Sequence, residues 1–274
     1  MLLGNDISHW QGIIDFNVYK NNTNFVISKA TEGINFLDSQ FKTNQSEARR
    51  VGLLNGSYHF ARPSKGNSPE SEADFYLSKI GTLQAGEWLC LDYEDTYTGD
   101  VVGWCKTWLN HVYSKTNVKP LIYLNQSLVK NYNWSNVSNA GFGLWIAAYT
   151  GDPRNNTFAT GSWSFASIQQ WTNAQTVPGI PAKTDGDVFF GDQLAFMRYG
   201  YQVPVPTPPA TPDPTPQPIP PTPEPTPVPP TPAPPVVDPV PDCCEVLSAE
   251  LESLKLRVDK LEKKTIWDFF KKEK

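Results

Sequence analysis

Residues 88–94 read Trp-Leu-Cys-Leu-Asp-Tyr-Glu, and the fold turns on how this stretch is understood. An apolar run that ends in two acids describes a buried strand reaching a polar surface. Strand side chains alternate between faces, so Asp92 and Glu94 point one way and Tyr93 the other. Two strand steps set their Cα atoms roughly 6.5–7 Å apart. Two acids that close on one face cannot both ionise cheaply. One pKa is expected to rise toward the range that a general acid needs near neutral pH. The competing reading is a strand that runs out into a solvated acidic loop, because Asp95 follows.

Outward from this strand, short apolar runs alternate with helical patterns. Residues 2–6, 25–29, 53–60, 120–125, 143–149, 164–171 and 185–190 read as further strands. Residues 15–20 form a helical turn. A helix is predicted over 38–51, with Asp38 or Ser39 as N-cap and Gly52 just past its end. Others are predicted over 68–79, with acids in the first turn, and over 101–115. This alternation argues for parallel βα units. About eight strands predict an α/β fold, a TIM-like β/α barrel with its later helices reduced.

The strand ends carry Asp6, Glu32, Tyr58, His59, Asp92, Glu94, Tyr123, Tyr149, Gln170 and Trp171. Trp145 lies inside its strand, and Asp185 enters at the last one. In a β/α barrel the C-terminal strand ends converge on one face, where active sites are built. Acids, aromatics and amides on one rim describe a carbohydrate site. Ring faces stack on sugars, amides bond hydroxyls, and carboxylates do the acid chemistry.

Of the 26 prolines, 20 fall between Pro204 and Pro241, so residues 1–202 form the globular part and 203–241 a linker. A formal net charge of −5 argues against a nucleic-acid partner. Cys90 and Cys105 sit in apolar segments and read as buried thiols; Cys243 and Cys244 lie in the tail. The start, Met-Leu-Leu-Gly-Asn-Asp, has neither a basic region nor a long apolar run, so no signal peptide is expected. No apolar stretch reaches the roughly 18 residues of a membrane span.

Taken in order, the motifs resemble those of the glycoside hydrolase family 25 lysozymes, common as bacteriophage endolysins. They are Asp6-Ile7-Ser8-His9-Trp10-Gln11-Gly12, Lys29-Ala30-Thr31-Glu32-Gly33 with Phe36 and Asp38, and Gly56-Ser57-Tyr58-His59-Phe60. Leu91-Asp92-Tyr93-Glu94, Tyr123, Leu144-Trp145-Ile146-Ala147, Gln170-Trp171 and Asp185-Gly186-Asp187-Val188-Phe189 follow. The resemblance implies cleavage of the β-1,4 bond between N-acetylmuramic acid and N-acetylglucosamine in bacterial peptidoglycan. It makes Glu94 the proton donor, Asp92 its partner acid, and Asp6 and Asp185 the flanking acids. It further implies synthesis in the host cytoplasm and action on the wall after release. Two residues depart from the family pattern. Ser28 replaces an aliphatic residue before Lys29, and Asp187 stands where Asn is commoner, leaving Asp185 as the matching acid. The oxocarbenium-like centre could be met by an Asp, or by the sugar's own 2-acetamido group oriented by Asp92; the Asp-x-Glu spacing favours the second. Either route retains configuration. His59 reads equally as a substrate contact or as a histidine bonded to a neighbouring acid. No cofactor is implied. The alternative function is a non-catalytic wall-binding or virion structural protein on the same barrel.

Residues 203–241 alternate Pro with Thr, Val and a few acids, which suits an extended polyproline-II spacer of at most about 3.1 Å per residue. Beyond it, over 242–274, Cys244, Leu247, Leu251, Leu254, Val258 and Leu261 repeat at heptad a and d spacing. Glu250 with Lys255, and Arg257 with Glu262, are complementary across a parallel pair. A short coiled coil joining two copies is expected, with packing on the barrel as the competing reading. A third reading is membrane or wall contact through Ile266-Trp267-Asp268-Phe269-Phe270-Lys271-Lys272.

Overall fold

A computed structural model describes residues 1–203. The Pro-rich linker from residue 204 onward and the helix expected over 242–274 lie outside the described residues. The strands are β1 (Leu2–Ile7), β2 (Phe25–Glu32), β3 (Phe36–Leu37), β4 (Leu54–Phe60), β5 (Trp88–Asp92), β6 (Leu121–Asn125), β7 (Leu144–Ala147), β8 (Ile168–Gln175) and β9 (Thr184–Phe189). The helices are α1 (Phe16–Tyr19), α2 (Phe41–Val51), α3 (Pro69–Ile80), α4 (Val101–Thr116), α5 (Gln126–Asn131), α6 (Ser135–Ser138) and α7 (Gln193–Tyr199). Among the described residues no helix is long and apolar enough to cross a membrane.

The sheet order is β1-β9-β8-β7-β6-β5-β4-β2-β3, and β1 also pairs with β2. That last pairing closes eight strands into a barrel, with β3 appended antiparallel to β2. Neighbours from β1 through β2 and β4 to β8 are parallel. The expectation of an all-parallel barrel fails at the last strand: β9 runs antiparallel to both β8 and β1. No long helix separates β8 from β9, so the chain returns directly, as only an antiparallel connection allows. The predicted strand over 164–171 is likewise displaced to Ile168–Gln175, because pairing with β9 carries β8 beyond Trp171.

Local signals explain most boundaries. Ser68 caps α3 with Pro69 in its first turn, and Asp100 caps α4. Gly52 ends α2 in the left-handed region, at φ 74°. Asp38, expected as a cap, does not open α2. It accepts from the backbone amides of His9 and Gln40 and from the His9 ring instead.

Two cores result from strand alternation. Inside the barrel, Phe25, Ile27, Trp88, Cys90, Leu121, Ile168 and Phe189 pack together. Phe196 of α7 closes the bottom, its ring stacked 3.9 Å from Trp88, whose Nε1 donates to the Phe196 carbonyl at 2.7 Å. Outside, α3 and α4 cover the sheet through Tyr76, Ile80, Trp104, Trp108 and Leu109, with Leu91 and Tyr93 facing them. Cys90 and Cys105 are free and buried.

Strand β4 approaches β5 closely at Gly56. A Cβ there would lie 2.7 Å from Trp88 Cβ and 2.9 Å from the Trp88 carbonyl oxygen. Gly56→Ala is therefore expected to cost about 1–3 kcal/mol through overpacking. Urea unfolding checks this, and an unchanged midpoint would show that the two strands can part freely.

Candidate active site

The alternation that fills the barrel also builds its mouth. Above Ile27, Gly56, Cys90, Leu121 and Ile168, the next inward positions are Lys29, Tyr58, Asp92, Tyr123 and Gln170. They line a cleft of about 260 Å³ together with Asp6, Trp145, Tyr149, Glu94 and Asp185. Asp185 reaches this rim because β9 is reversed. The start of an antiparallel strand lies beside the ends of parallel ones. Beyond Asp92 the backbone stays extended, with Tyr93 N donating to the Tyr123 carbonyl at 3.1 Å. Tyr93 turns outward into the helical layer, and Glu94 returns to the cleft. Asp95 is not a solvated loop acid. Its carboxylate accepts from Ser64 N at 3.2 Å and Ser64 Oγ at 2.8 Å.

A chain of hydrogen bonds fixes one wall. The hydroxyls of Tyr123 and Tyr149 both donate to Gln170 Oε1, at 2.9 and 3.0 Å. Gln170 Nε2 then donates to Asp6 Oδ2 at 2.8 Å. Beneath it, fully buried Asp187 receives the Trp145 Nε1 hydrogen at 2.9 Å, while its Oδ2 has no N–H donor among the described residues. Asp6 and Asp187 lie close enough for each to shift the other's pKa. Burial first, then the charges of Asp185 and Asp187, hold the Asp6 carboxyl well above the usual carboxylate range. Burial pushes Asp187 up to about 7.

The Asp92–Glu94 pair is elevated too. Burial raises Asp92 most, followed by the charge of Glu94. Burial also leads for Glu94, with Asp185 as its next cause. Mutual repulsion, expected from the spacing to lead, is the smaller cause at Asp92. Among the described residues Asp92 Oδ1 is buried without a hydrogen-bond donor, which adds to the cost of charging it.

Three residues expected to bind substrate do not line the cleft. His59 follows inward-facing Tyr58 and so points outward. It is fully buried, bonded to Thr31 Oγ1 at 2.8 Å and Glu72 Oε2 at 2.8 Å, and stacked on Trp108. Trp171 stands at a register shift between Gln170 and Thr172 in the β8–β9 pairing and is not part of the cleft lining. Glu32 stands beside the cleft and holds Lys29 Nζ at 2.6 Å and Arg62 Nε at 2.7 Å. Burial works to raise its pKa, but these bonds hold it below the ordinary value. Conversely, Ser8, Trp10, Gln11, Lys29 and Phe60 line the cleft without having been expected there. Trp10 is 76 % exposed at the mouth, on a turn pinned by the His9–Asp38 contact of 2.7 Å. Its place in the Asp-Ile-Ser-His-Trp-Gln motif, just after a strand end, was the available signal. Among the described residues no His, Cys, Asp and Glu side chains form a metal-holding group.

Residues 5–180 match the family described as glycosyl hydrolases family 25. Lysozyme M1 of Streptomyces globisporus is 27 % identical over 209 residues, covering 71 % of this chain and 69 % of its own. The structure of a muramidase from Acremonium alcalophilum superposes with a TM-score of 0.64 at 27 % identity, over 73 % of this chain and 99 % of that one. The CTP1L endolysin gives a TM-score of 0.63 at 28 % identity, over 74 % and 71 %.

The buried acids tie stability to pH. Because folding raises Asp187 from 3.8 to about 7, the folded protein binds more protons than the unfolded chain between those values. This group's stabilisation is full below pH 3.8 and is lost as pH rises through 7. Asp187→Asn keeps the acceptor for Trp145 and removes the titration. Between pH 5 and 8 it should lose less stability than the parent, by on the order of 2 kcal/mol. Urea unfolding at the two pH values measures the difference, and equal slopes would place the proton elsewhere.

Proposed function

We propose, from the premise that this chain belongs to glycosyl hydrolases family 25, that it is an endolysin-type lysozyme. It hydrolyses the β-1,4 bond between N-acetylmuramic acid and N-acetylglucosamine in bacterial peptidoglycan. The observation that carries this reading is the joint placement of Asp92 and Glu94 in a cleft walled by Tyr58, Tyr123, Trp145 and Tyr149. Aromatic faces and fixed polar groups suit a glycan, and paired elevated carboxyls suit acid catalysis. The likeness to the CTP1L endolysin supports action on the wall after release. No feature of the cleft favours a non-catalytic role, since both acids of the pair line it.

In this reading Glu94 gives its proton to the glycosidic oxygen as the bond to the anomeric carbon breaks. The carbonyl oxygen of the 2-acetamido group attacks that carbon from the opposite face, and Asp92 takes a hydrogen bond from the acetamido N–H. Water then opens the ring so formed. The Glu94 carboxylate accepts the water's proton, and the configuration is retained. Before substrate arrives, burial holds both carboxyls of the pair above their ordinary range. An N–H donor at Asp92 stabilises its charge, and a sugar covering Glu94 desolvates it, so the substrate itself directs the proton to Glu94. Asp6 and Asp185 flank the cleft, and Asp6 is fixed by Gln170.

Glu94→Gln keeps the shape and removes the acid. Its kcat for reducing-end release should fall at least about 10²-fold with folding intact. Near-normal turnover in a folded Glu94→Gln protein would sink the assignment. Asp92→Asn should lose turnover while still sedimenting with walls. Walls with de-N-acetylated muramic acid should resist the parent enzyme. Equal rates on acetylated and deacetylated walls would exclude the acetamido route and leave direct attack by an Asp.

A further inference from the structure

Beside the catalytic cleft lies a second concavity of about 350 Å³, lined by Glu32, Ile34, Phe36, Arg62, Lys65 and Asn67 among others. Phe60 and Lys29, which line the cleft, stand next to it. The Arg62 guanidinium lies 4.4 Å from the Phe60 ring centre, and Lys29 Nζ 4.7 Å from the same ring. Arg62 is clamped on one side only. Its Nε donates to Glu32, its side chain lies on Phe60, and its backbone N donates to Glu72 at 3.0 and 3.1 Å. Its two terminal nitrogens have no protein partner among the described residues. Lys65, exposed on the turn after Pro63, likewise makes no ion pair there. In a chain of net charge −5, this corner gathers Lys29, Arg62 and Lys65 around Glu32 and the buried Glu72, which holds Arg62 N and Asn67 Nδ2.

We infer that this notch receives the stem peptide of the muramic acid being cleaved, with Arg62 and Lys65 binding its free carboxylates. The inference rests on the muramidase reading above. The sugar whose anomeric carbon reacts must sit over Asp92 and Glu94, and in peptidoglycan that sugar carries a peptide through its lactyl ether. The lactyl ether branches off the glycan backbone that runs through the cleft, so the peptide must leave over a rim. The rim at Asp185 is acidic. The rim at Lys29 and Arg62 is cationic and close enough to lower the pKa of both Asp92 and Glu94. A guanidinium held at Nε with its outer edge free is prepared for a carboxylate. The geometry selects peptide-bearing strands over bare glycan at the subsite that matters for turnover.

The test uses the full chain and one wall preparation in two forms, intact and stripped of stem peptides by an amidase. Initial rates of reducing-end release give kcat and KM on each. In Arg62→Gln the ratio of kcat/KM on intact strands to that on stripped strands should fall about 10-fold from the parent ratio, mainly through KM. Lys65→Glu, an exposed change that leaves Glu32 paired, should move the ratio the same way and keeps the test readable if Arg62→Gln does not fold. An equal loss on both substrates, as from a changed Glu94 or a purely structural role, would overturn the inference, as would no change in either. Should the parent release no reducing ends from either form, the muramidase reading fails by itself. The notch is then judged by sedimentation of the Glu94→Gln chain with the two wall forms. Preferential retention on intact walls, lost when Arg62→Gln is added, supports it, and equal retention overturns it.

Discussion

Five carboxyl groups, Asp6, Asp92, Glu94, Asp185 and Asp187, meet at one end of the barrel, and they cannot all be charged at once. Each is raised, and burial is the first cause in every case. A low-dielectric rim makes each further charge costly, so protons remain where solvent would have removed them. Much of the surrounding structure serves to decide where they stay. Tyr123 and Tyr149 orient Gln170, Gln170 orients Asp6, and Trp145 holds Asp187. Asp6 and Asp187 are therefore fixed in place before any substrate arrives, which is what electrostatic catalysis requires.

The barrel supplies the rigidity. Closure through the β1–β2 pairing gives every barrel strand two neighbours, and α7 seals the bottom with Phe196 against Trp88. The reversed β9 is the economical feature of this fold. It brings Asp185 and Asp187 to the rim from the beginning of a strand, with Asp187 packed beneath the mouth and Asp185 lining it. The Asp-Gly-Asp segment, read as one matching acid plus one extra, thus places both acids in the same electrostatic group, at two depths.

Much of this was legible in the chain because a strand has a period of two. Asp92 and Glu94 were paired by that rule, and Tyr93 was turned away by it. Applied to Tyr58-His59, the same rule turns His59 outward. Its polar character had suggested the cleft, and residue type proved a weaker guide than parity. Trp171 lies at a register shift between Gln170 and Thr172, so parity does not decide its side. Glu32 lies past a register shift between Lys29 and Thr31, where counting by two no longer holds. The antiparallel β9 was not legible, because its direction depends on the missing helix between β8 and β9 rather than on any residue within it. Trp10 and Gln11 belong to a short turn whose aim is set by a distant contact, His9 with Asp38.

The cations complete the electrostatics of the site. Lys29 and Arg62 oppose burial at both Asp92 and Glu94, and Glu32 holds those two cations side by side. They pull both carboxyls down against the burial that raises them, so the pair is less elevated than burial alone would leave it. Glu32 therefore acts on the chemistry while standing outside the cleft, by tempering the positive charge that faces the acids. The motif Lys29-Ala30-Thr31-Glu32 fits this role, because it carries the cation and the acid that moderates it on one strand, three residues apart.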